Sequence, residues 1–476
     1  MKFHFATAVW GGKYVDLFLN VCLPNQLTKG NLLAFTGHDC VYKVFTSKKD
    51  ARAIARNRLI AEAQKIMPVK IIPVKNLFKL AGKHDMTQYS AAIESMNKCH
   101  KMAIEEANAE DAPLFFLPPD QVWSDGAFAR AREIILQGKR AINVATPRLA
   151  RDTFLPLFLE KFRDSDGYMP APARELTKLA LGHLHPLINT FFADSKDFAA
   201  EWTWHIFWRV GKSGVLGRFL FFYPLVVWPT EKNVRPGLAI DFDYPFMAVP
   251  NFDDHYIVTD SDEIAGYEFS PSDKFEEKIT PARFDPHYFA SNILNRFSNR
   301  INRRFLLRSV RLHGESLSPE WEQAEKVAKR IARKSLAAYA QGKKWEANQL
   351  TSVLSRKVDR VVIFGGGTGG ELAVKMAKRS GWKVAYFVDN NPAKWGTTLL
   401  NRPVKGPAEL MNKDFDLIVV ASYPGRRAIS RQLNKMGFAY NYDYICHVNY
   451  DSRALNAIKG KITKTVVSAQ ILEGAM

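Results

Sequence analysis

Short apolar runs alternate with longer amphipathic segments over the first 150 residues of the chain. The short runs predict β-strands, whereas the longer segments repeat apolar residues every three to four positions and predict helices. The predicted strands are His4–Val9, Val41–Thr46, Val69–Val74, Leu114–Leu117 and Ala141–Ala145. The predicted helices are Tyr14–Leu23, Lys49–Met67, Met86–Asn108 and Ala127–Leu136. This alternation indicates an α/β domain with a largely parallel, doubly wound sheet.

The fourth predicted strand, Leu114–Leu117, ends in two prolines, and Asp120 and Asp125 follow it. Ligands of doubly wound sheets bind outside the carboxyl ends of the strands, so a site is expected at this edge. Asp120 and Asp125 are therefore candidate catalytic residues. A buried strand that ends in a polar turn would leave the same pattern, because Asp is also common in turns.

The chain between residues 150 and 290 has short segments that are dense in aromatic residues and proline. Gly217–Pro229 and Arg235–Tyr244 predict further β-structure, and another strand precedes Val258–Glu263. We interpret this region as the second half of the same domain, residues 1–290, and expect it to carry the acceptor side of a pocket.

Two Asp-x-Asp strings end apolar runs in this second half. They comprise Asp241 with Asp243, and Asp260 with Asp262, which Glu263 follows directly. Carboxylates at this spacing either hold a divalent cation or hydrogen-bond the local backbone of a turn. Asp262 or Glu263 is also a candidate base for an acceptor hydroxyl.

The segment from about Pro286 to Arg356 is predicted to be mainly helical, and we assign residues 291–356 to a basic helical linker. Between Arg296 and Arg360 there are 16 Lys or Arg and 6 Asp or Glu, so +10 of the net charge of +19 lies here. Such a patch attracts a nucleotide or an anionic membrane surface, unless it is only a solvated helix. No RNA-binding signature occurs, and we expect no nucleic-acid partner.

The tail, residues 357–476, is predicted to be a small Rossmann-like nucleotide-binding domain. The apolar strand in Val361–Gly370 leads into a turn in which Gly365, Gly367 and Gly370 form G-x-G-x-x-G before a helix. Asp389 ends the next strand, where an acid accepts from ribose hydroxyls. These four residues are candidates for binding NAD(P) or another nucleotide. A degenerate unit that binds a sugar nucleotide, or nothing, is the alternative.

The composition fits a protein of 476 residues with two or three domains. The longest apolar run, Phe219–Trp228, has ten residues and contains Pro224, so it is too short to cross a bilayer. The stretch Met1–Asp16 lacks the apolar block of a signal peptide. The four scattered cysteines form no CxxC pair and are interpreted as reduced core thiols. We expect a cytoplasmic protein.

The tail resembles a known module. Its glycine turn, the string "VDNNP", the "G…RPV" turn and the strand "DLIVVAS" are similar to the small Rossmann domain of sugar-modifying and polysaccharide-biosynthesis proteins. This resemblance covers about one fifth of the chain. It implies sugar-nucleotide metabolism without fixing the reaction.

The amino-terminal part resembles glycosyltransferases of the GT-A type. The stretch "ATAVWGGKYVDLFLNVCLPNQLTKGN" is similar to their opening strand, loop and helix, and "LFFLPPDQVWSDG" falls where the family has an apolar strand ending in Asp-x-Asp. The resemblance implies a nucleotide-sugar donor, a glycan or protein acceptor, and Mn²⁺ or Mg²⁺ bridging the donor diphosphate. The candidate metal ligands are Asp120, Asp241, Asp243 and Asp260.

The sequence departs from this family pattern at one point. Gln121 and Val122 follow Asp120, so a second acid is missing at the next-but-one position. Either Asp125 turns back towards the site, or the site is independent of metal, or another strand carries the metal.

We therefore expect a glycosyltransferase in glycan or surface-polysaccharide assembly, peripheral to the inner face of a membrane. The alternatives are an NAD(P)-dependent nucleotide-sugar-modifying enzyme that uses the tail, and a non-catalytic binding protein. The donor sugar, the acceptor, the stereochemical outcome and the oligomeric state do not follow from the sequence.

Overall fold

A computed structural model describes residues 1–77, 86–199, 203–212, 214–234, 236, 239–272, 283–295, 298–354, 358–422, 425–440 and 442–446. The chain divides into two compact units, Met1–Ser335 and Leu336–Met476. Both contain β-sheets and helices, which confirms the predicted α/β class.

The first unit contains thirteen strands among the described residues. They are β1 Phe3–Ala8, β2 Cys40–Thr46, β3 Val69–Pro73, β4 Leu114–Phe116, β5 Gln121–Trp123, β6 Ala141–Val144, β7 Arg148–Ala150, β8 His205–Val210, β9 Gly214–Phe219, β10 Tyr223–Val227, β11 His255–Ile257, β12 Gly266–Ser270 and β13 Val310–His313.

Its α-helices are α1 Gly12–Leu17, α2 Leu23–Gln26, α3 Lys48–Ala55, α4 Arg58–Ile66, α5 Met86–Ala109, α6 Ala127–Leu136, α7 Arg151–Phe162, α8 Ala173–Gly182, α9 Pro186–Asn189, α10 Tyr244–Ala248, α11 Pro286–Phe289 and α12 Arg300–Leu306. The long helix α13, Glu320–Leu354, begins in this unit and continues past Ser335. A π-helical turn, Phe18–Cys22, joins α1 to α2.

Seven strands form the central sheet in the order β11-β6-β10-β4-β1-β2-β3. All of them run parallel except β10, which is antiparallel to both of its neighbours. Six of the seven strands run in one direction, so the sheet is largely parallel, as predicted, with one antiparallel strand. Because β10 runs the other way, its first residue, Tyr223, lies at the same edge as the carboxyl ends of the parallel strands.

Alternating residues of the central strands supply two hydrophobic cores, one on each face of the sheet. On β4, Phe115 packs into one core, and Leu114 and Phe116 pack into the other. Helices α4 and α6 cover the first face, and α5 covers the second. Layers on both faces bury the sheet and leave its strand ends as the accessible edge.

Two smaller sheets complete the first unit. One has the order β5-β12-β7, in which β12 is antiparallel to β5 and parallel to β7. The other has the order β13-β9-β8 and is antiparallel throughout. The first of these sheets matters for the site, because β5 starts directly after Asp120.

Three local predictions are wrong. The predicted helix Lys49–Met67 is two helices, because the side chain of Asn57 accepts a hydrogen bond from the Leu59 N–H and starts a new one. Val310–His313, within the segment predicted to be helical, is the strand β13, whose alternate apolar residues Val310 and Leu312 are buried.

The third wrong prediction is the strand Arg235–Tyr244. Arg235, Gly237 and Leu238 lie outside the described residues, and residues 240–243 form a turn that leads into α10. Pro245 lies in the first turn of that helix, where its fixed φ favours a helix start.

The second unit has a six-stranded sheet in the order β16-β17-β15-β14-β18-β19. Its strands are β14 Arg360–Phe364, β15 Lys383–Val388, β16 Thr398–Leu399, β17 Arg402–Lys405, β18 Leu417–Val420 and β19 Tyr444–Cys446, with helices α14 Thr368–Ser380 and α15 Arg426–Lys435. All strands but β16 run parallel. Residues 447–476 of the predicted tail domain lie outside the described residues.

No helix in the described part of the chain is both long enough and apolar enough to cross a membrane.

Candidate functional site

The strand order of the central sheet marks one crevice. From β1 the chain moves outward to β2 and β3, whereas β4 lies on the other side of β1. This reversal is a topological switch point, and ligands of open α/β sheets bind at such points, outside the carboxyl ends of the strands. In this unit the crevice lies after Ala8 and after Phe116.

Asp120 lies at this crevice because of the way in which β4 ends. The Leu117 N–H makes the last hydrogen bond to β1, to the carbonyl of Ala6 at 2.8 Å. Pro118 and Pro119 have no N–H and stop the ladder. The chain then joins the small sheet, where the carbonyl of Asp120 accepts from the Phe269 N–H at 3.0 Å.

The charges of three carboxylates, those of Asp120, Asp241 and Glu268, act on the phenol of Tyr223, the first residue of β10. The Tyr223 hydroxyl donates to the carbonyl of Phe116 at 3.1 Å, which holds the ring at the end of β4. Burial raises the pKa of Tyr223 well above its ordinary value, and the charges of Asp241, Asp120 and Glu268 raise it further. We call Asp120, Asp241, Glu268 and Tyr223 the switch-point cluster.

Asp241 has the most unusual carboxyl group of the cluster. Its side chain is exposed to solvent, and the protein packed around it nevertheless removes part of its hydration. This loss of hydration raises the pKa of Asp241 to about 6, and Glu268 and Asp243 act in the same direction, while Arg148 opposes them. An acid in this range can accept or release a proton near neutral pH.

Glu268 enters the cluster with a positive partner. It lies directly opposite Arg148 in the pairing of β12 with β7, and its Oε1 atom is 2.6 Å from Nη2 and 2.8 Å from Nε of Arg148. Both side chains are partly exposed. Neither Glu268 nor Arg148 is among the site residues predicted from the sequence. The sequence marks each of them only as a single charged residue among apolar neighbours in a short strand.

Asp125 has a different environment from Asp120. Its Oδ1 atom accepts from the Gly30 N–H at 2.8 Å, where the loop before Asn31 crosses the start of α6. The crossing is tight, since a Cβ on Gly30 would lie 2.2 Å from the nitrogen of Gly126. These contacts describe a carboxylate that holds two chain segments together.

A second acidic group lies after β11. Oδ1 of Asp260 is 2.9 Å from Nε2 of His313, and the guanidinium of Arg174 binds both oxygens of Asp262. Because β11 is three strands away from β4, the ends of these two strands lie about 14 Å apart along the same edge of the sheet. The adjacent Glu263 accepts from Arg130 at 2.9 Å and from the Tyr256 hydroxyl at 2.7 Å.

Asp260, Asp262 and His313 form the only group of three or more potential metal-ligating side chains found among the described residues. Their ligand atoms all lie within 4.8 Å of one another, which is the spread expected around one ion. Nδ1 of the buried His313 is 2.7 Å from the carbonyl of Glu315, a contact that fixes the ring and leaves Nε2 to face the aspartates. This donor set fits Mn²⁺ or Zn²⁺ better than Mg²⁺.

In the second unit, the three motif glycines differ in what their backbone requires. Gly365 has a φ of +123°, which favours glycine. A Cβ on Gly370 would lie 2.3 Å from the carbonyl oxygen of Gly365, so this position needs a close approach of helix and turn. A Cβ on Gly367 would meet nothing within 4 Å, which leaves its face open to a ligand.

Asp389 lies beside this turn at the end of β15. Its Oδ2 atom accepts from the Gly366 N–H at 2.9 Å and is 2.8 Å from Nζ of Lys394. Burial acts to raise the pKa of Asp389, but hydrogen bonds from Lys394 and from the Asn391 and Gly366 backbone outweigh it and lower the pKa. Lys394 is not among the site residues predicted from the sequence. Its ammonium group balances the charge of Asp389 at this end of the strand.

Comparisons with known proteins give limited matches. Residues 357–442 match the family described as C2185-like, N-terminal. The sequence matches no curated protein.

The similar solved structures share little with the chain. UDP-D-quinovosamine 4-dehydrogenase from Vibrio fischeri is 21% identical over 17% of this chain and 73% of its own, with a TM-score of 0.15. Mouse xyloside xylosyltransferase 1 is 14% identical over 35% of this chain and 61% of its own, with a TM-score of 0.21. RSP, a Rex-family repressor, is 14% identical over 30% and 81%, with a TM-score of 0.18. These values assign neither a fold nor an activity.

Proposed function

We propose that the first unit is a glycosyltransferase that moves a sugar from a nucleotide-sugar donor to an acceptor hydroxyl. The observation that supports this proposal most directly is that the charges of Asp120, Asp241 and Glu268 all act on Tyr223, which lies at the carboxyl edge of the central sheet. The resemblance of the amino-terminal segments to GT-A-type glycosyltransferases supports the same reaction.

Asp241 is the proposed general base. With a pKa of about 6, roughly nine tenths of its carboxyl groups are ionised at pH 7, and each can accept one proton. In the proposed step the acceptor oxygen bonds to the anomeric carbon, and its proton passes to Asp241. The bond from that carbon to the diphosphate breaks, and the diphosphate leaves with the electron pair.

The charge of the diphosphate requires positive partners near the three carboxylates. Arg148 supplies one, and a divalent cation would supply another by neutralising the charge that develops on the leaving diphosphate. Asp120 and Asp243 would hold this cation, and Asp241 would act as the base rather than as the predicted metal ligand. Such cations commonly use one or two carboxylates and take their other ligands from phosphates, so a preformed set of three protein ligands is not required.

The group of Asp260, Asp262 and His313 is the proposed site of a resident cation. In that role the predicted metal ligand Asp260 is retained, and Asp262 becomes a ligand rather than a base. Glu263 is a weaker candidate for a base than Asp241, because Arg130 and Tyr256 already contact its carboxylate.

A binding screen tests the proposal. Wild-type protein is mixed with UDP-, GDP- and CMP-sugars, with and without Mn²⁺, and with NAD(P), and the melting temperature is recorded. The proposal expects stabilisation by a nucleotide sugar that Asp120→Asn removes. Asp39→Asn is the matched control, because Asp39 is exposed just before β2, at the opposite edge of the sheet.

The second candidate function is NAD(P)-dependent modification of a nucleotide sugar in the second unit. The open face of Gly367 beside the start of α14 favours it, because a pyrophosphate could approach the backbone there. Stabilisation by NAD(P) that Gly367→Asp removes, together with no response to nucleotide sugars, would favour this function over transfer. No response to any nucleotide would favour a non-catalytic binding protein.

A further inference from the structure

A cavity of about 380 Å³ lies next to the segment that carries Asp241. Residues from α10, from α12 and from the turn around Phe252 line it, and Asp243 contributes to its wall. Its volume falls within the range of small-molecule pockets in proteins. None of these residues belongs to the switch-point cluster, so the cavity is a separate candidate binding site.

Two guanidinium groups from one helix line this cavity. Arg300 and Arg304 are four residues apart on α12 and therefore share one face of that helix. Like charges at this spacing destabilise a helix. Within the part of the chain that the structure describes, neither of them makes an ion pair with a carboxylate. The two guanidinium groups therefore repel each other and destabilise the helix, and a bound anion would offset this repulsion.

The surroundings favour a bound anion over two freely solvated side chains. The guanidinium of Arg304 lies 3.8 Å from the centre of the Phe252 ring, which restrains its position. Phe246, Met247 and Ile301 give the cavity apolar walls. A guanidinium fork beside apolar walls suits a phosphate or a carboxylate, because both accept its paired N–H groups.

The cavity adjoins the proposed base through a short piece of chain. Asp243 lies in the wall of the cavity and is two residues from Asp241 along the chain. A ligand in the cavity would therefore lie beside the proposed base.

We propose that this cavity binds an anionic group, a phosphate or a carboxylate, carried by the acceptor. The identification of the ligand as the acceptor rests on the proposed function, whereas the binding of an anion does not. The acceptor class is thus a sugar that bears a phosphate or a carboxylate group. Arg300 and Arg304 hold that group, and the acceptor hydroxyl points towards Asp241.

Calorimetric titration of the full-length protein tests this proposal without a donor. The probes are glucose 1-phosphate, glucuronate and neutral glucose, and the variants are Arg300→Gln and Arg304→Gln. Arg308→Gln is the control, because Arg308 is exposed just after the same helix and does not line the cavity. Melting temperatures of all variants verify that they fold.

We expect wild-type protein to bind one of the two anionic sugars and not glucose. The preferred probe shows whether the group is a phosphate or a carboxylate. Arg300→Gln weakens that binding by roughly tenfold or more, as expected for hydrogen bonds to a charged group, and Arg308→Gln changes it by less than about twofold. Equal binding of glucose, equal loss in Arg308→Gln, or no binding of either anion would overturn the proposal.

These results are separable from the proposed transfer. Anion binding that depends on Arg300, in a protein that binds no nucleotide sugar, would support the cavity and contradict the transferase. Nucleotide-sugar binding that depends on Asp120, without any anion binding, would support the transferase and contradict the anion-binding cavity.

Discussion

Replacement of Asp241 by asparagine should remove a free-energy cost that grows with pH. Loss of hydration raises the pKa of the Asp241 carboxyl from 3.8 to about 6 in the folded protein. The folded state therefore holds this proton more tightly than the unfolded chain does. The resulting stabilisation is complete below about pH 4 and is lost as the pH rises through about 6.

The size of this effect follows from the shift. A rise of about two pKa units corresponds to ~3 kcal/mol in the free energy of unfolding. Asp241 is solvent-exposed, and screening by water reduces such effects, so we expect ~1 kcal/mol. Asparagine carries no charge, and the variant should gain this amount over wild type between about pH 4 and pH 8.

Urea unfolding of both proteins across this pH range measures the difference. The gain of Asp241→Asn should rise with pH and level off above about pH 7, while Asp39→Asn shows no such trend. A difference that stays constant with pH, or a variant that is less stable than wild type at pH 8, would refute the reasoning that Asp241 is a poorly hydrated acid.

Two further predictions concern other parts of the chain. Gly370→Ala should destabilise the second unit by ~1–3 kcal/mol in urea unfolding, because its Cβ would press on the carbonyl of Gly365. Gly367→Ala should cost less than about 1 kcal/mol, because its Cβ would meet no other atom. The reverse order of the two costs would contradict the different roles of these glycines. Mn²⁺ should raise the melting temperature of wild type and not that of His313→Asn, and an equal rise in both would place the ion away from Asp260 and His313.

The sequence predicts most of the central sheet because its signals are local. Apolar runs and helical periodicity mark β1 to β4 and their helices, and the prolines after Leu117 mark the end of β4. Asp120 could therefore be assigned to the carboxyl edge from the sequence alone. The G-x-G-x-x-G turn that ends at Gly370 is equally local, and it lies between a strand and a helix as predicted.

The rest of the site depends on contacts between distant segments. Glu268 joins the cluster because β12 pairs with both β5 and β7, and Arg148 faces it across 120 residues of chain. The spacing of apolar residues along the sequence does not indicate which strands pair in this way. The raised pKa of Asp241 arises from the protein packed around it, which the string Asp-x-Asp does not encode. Strand β13 was not predicted for the same reason, because its burial comes from its pairing with the distant strand β9.

The central claim is that a nucleotide sugar binds at the switch point of the first unit. Calorimetric titration of UDP-, GDP- and CMP-sugars, in the presence of Mn²⁺, into wild type, Asp120→Asn, Asp39→Asn and Gly367→Asp tests it most directly. We predict that at least one nucleotide sugar binds wild type, Asp39→Asn and Gly367→Asp with similar affinity, and binds Asp120→Asn at least tenfold more weakly (about 1.4 kcal/mol). Binding that survives Asp120→Asn and is lost in Gly367→Asp would contradict it.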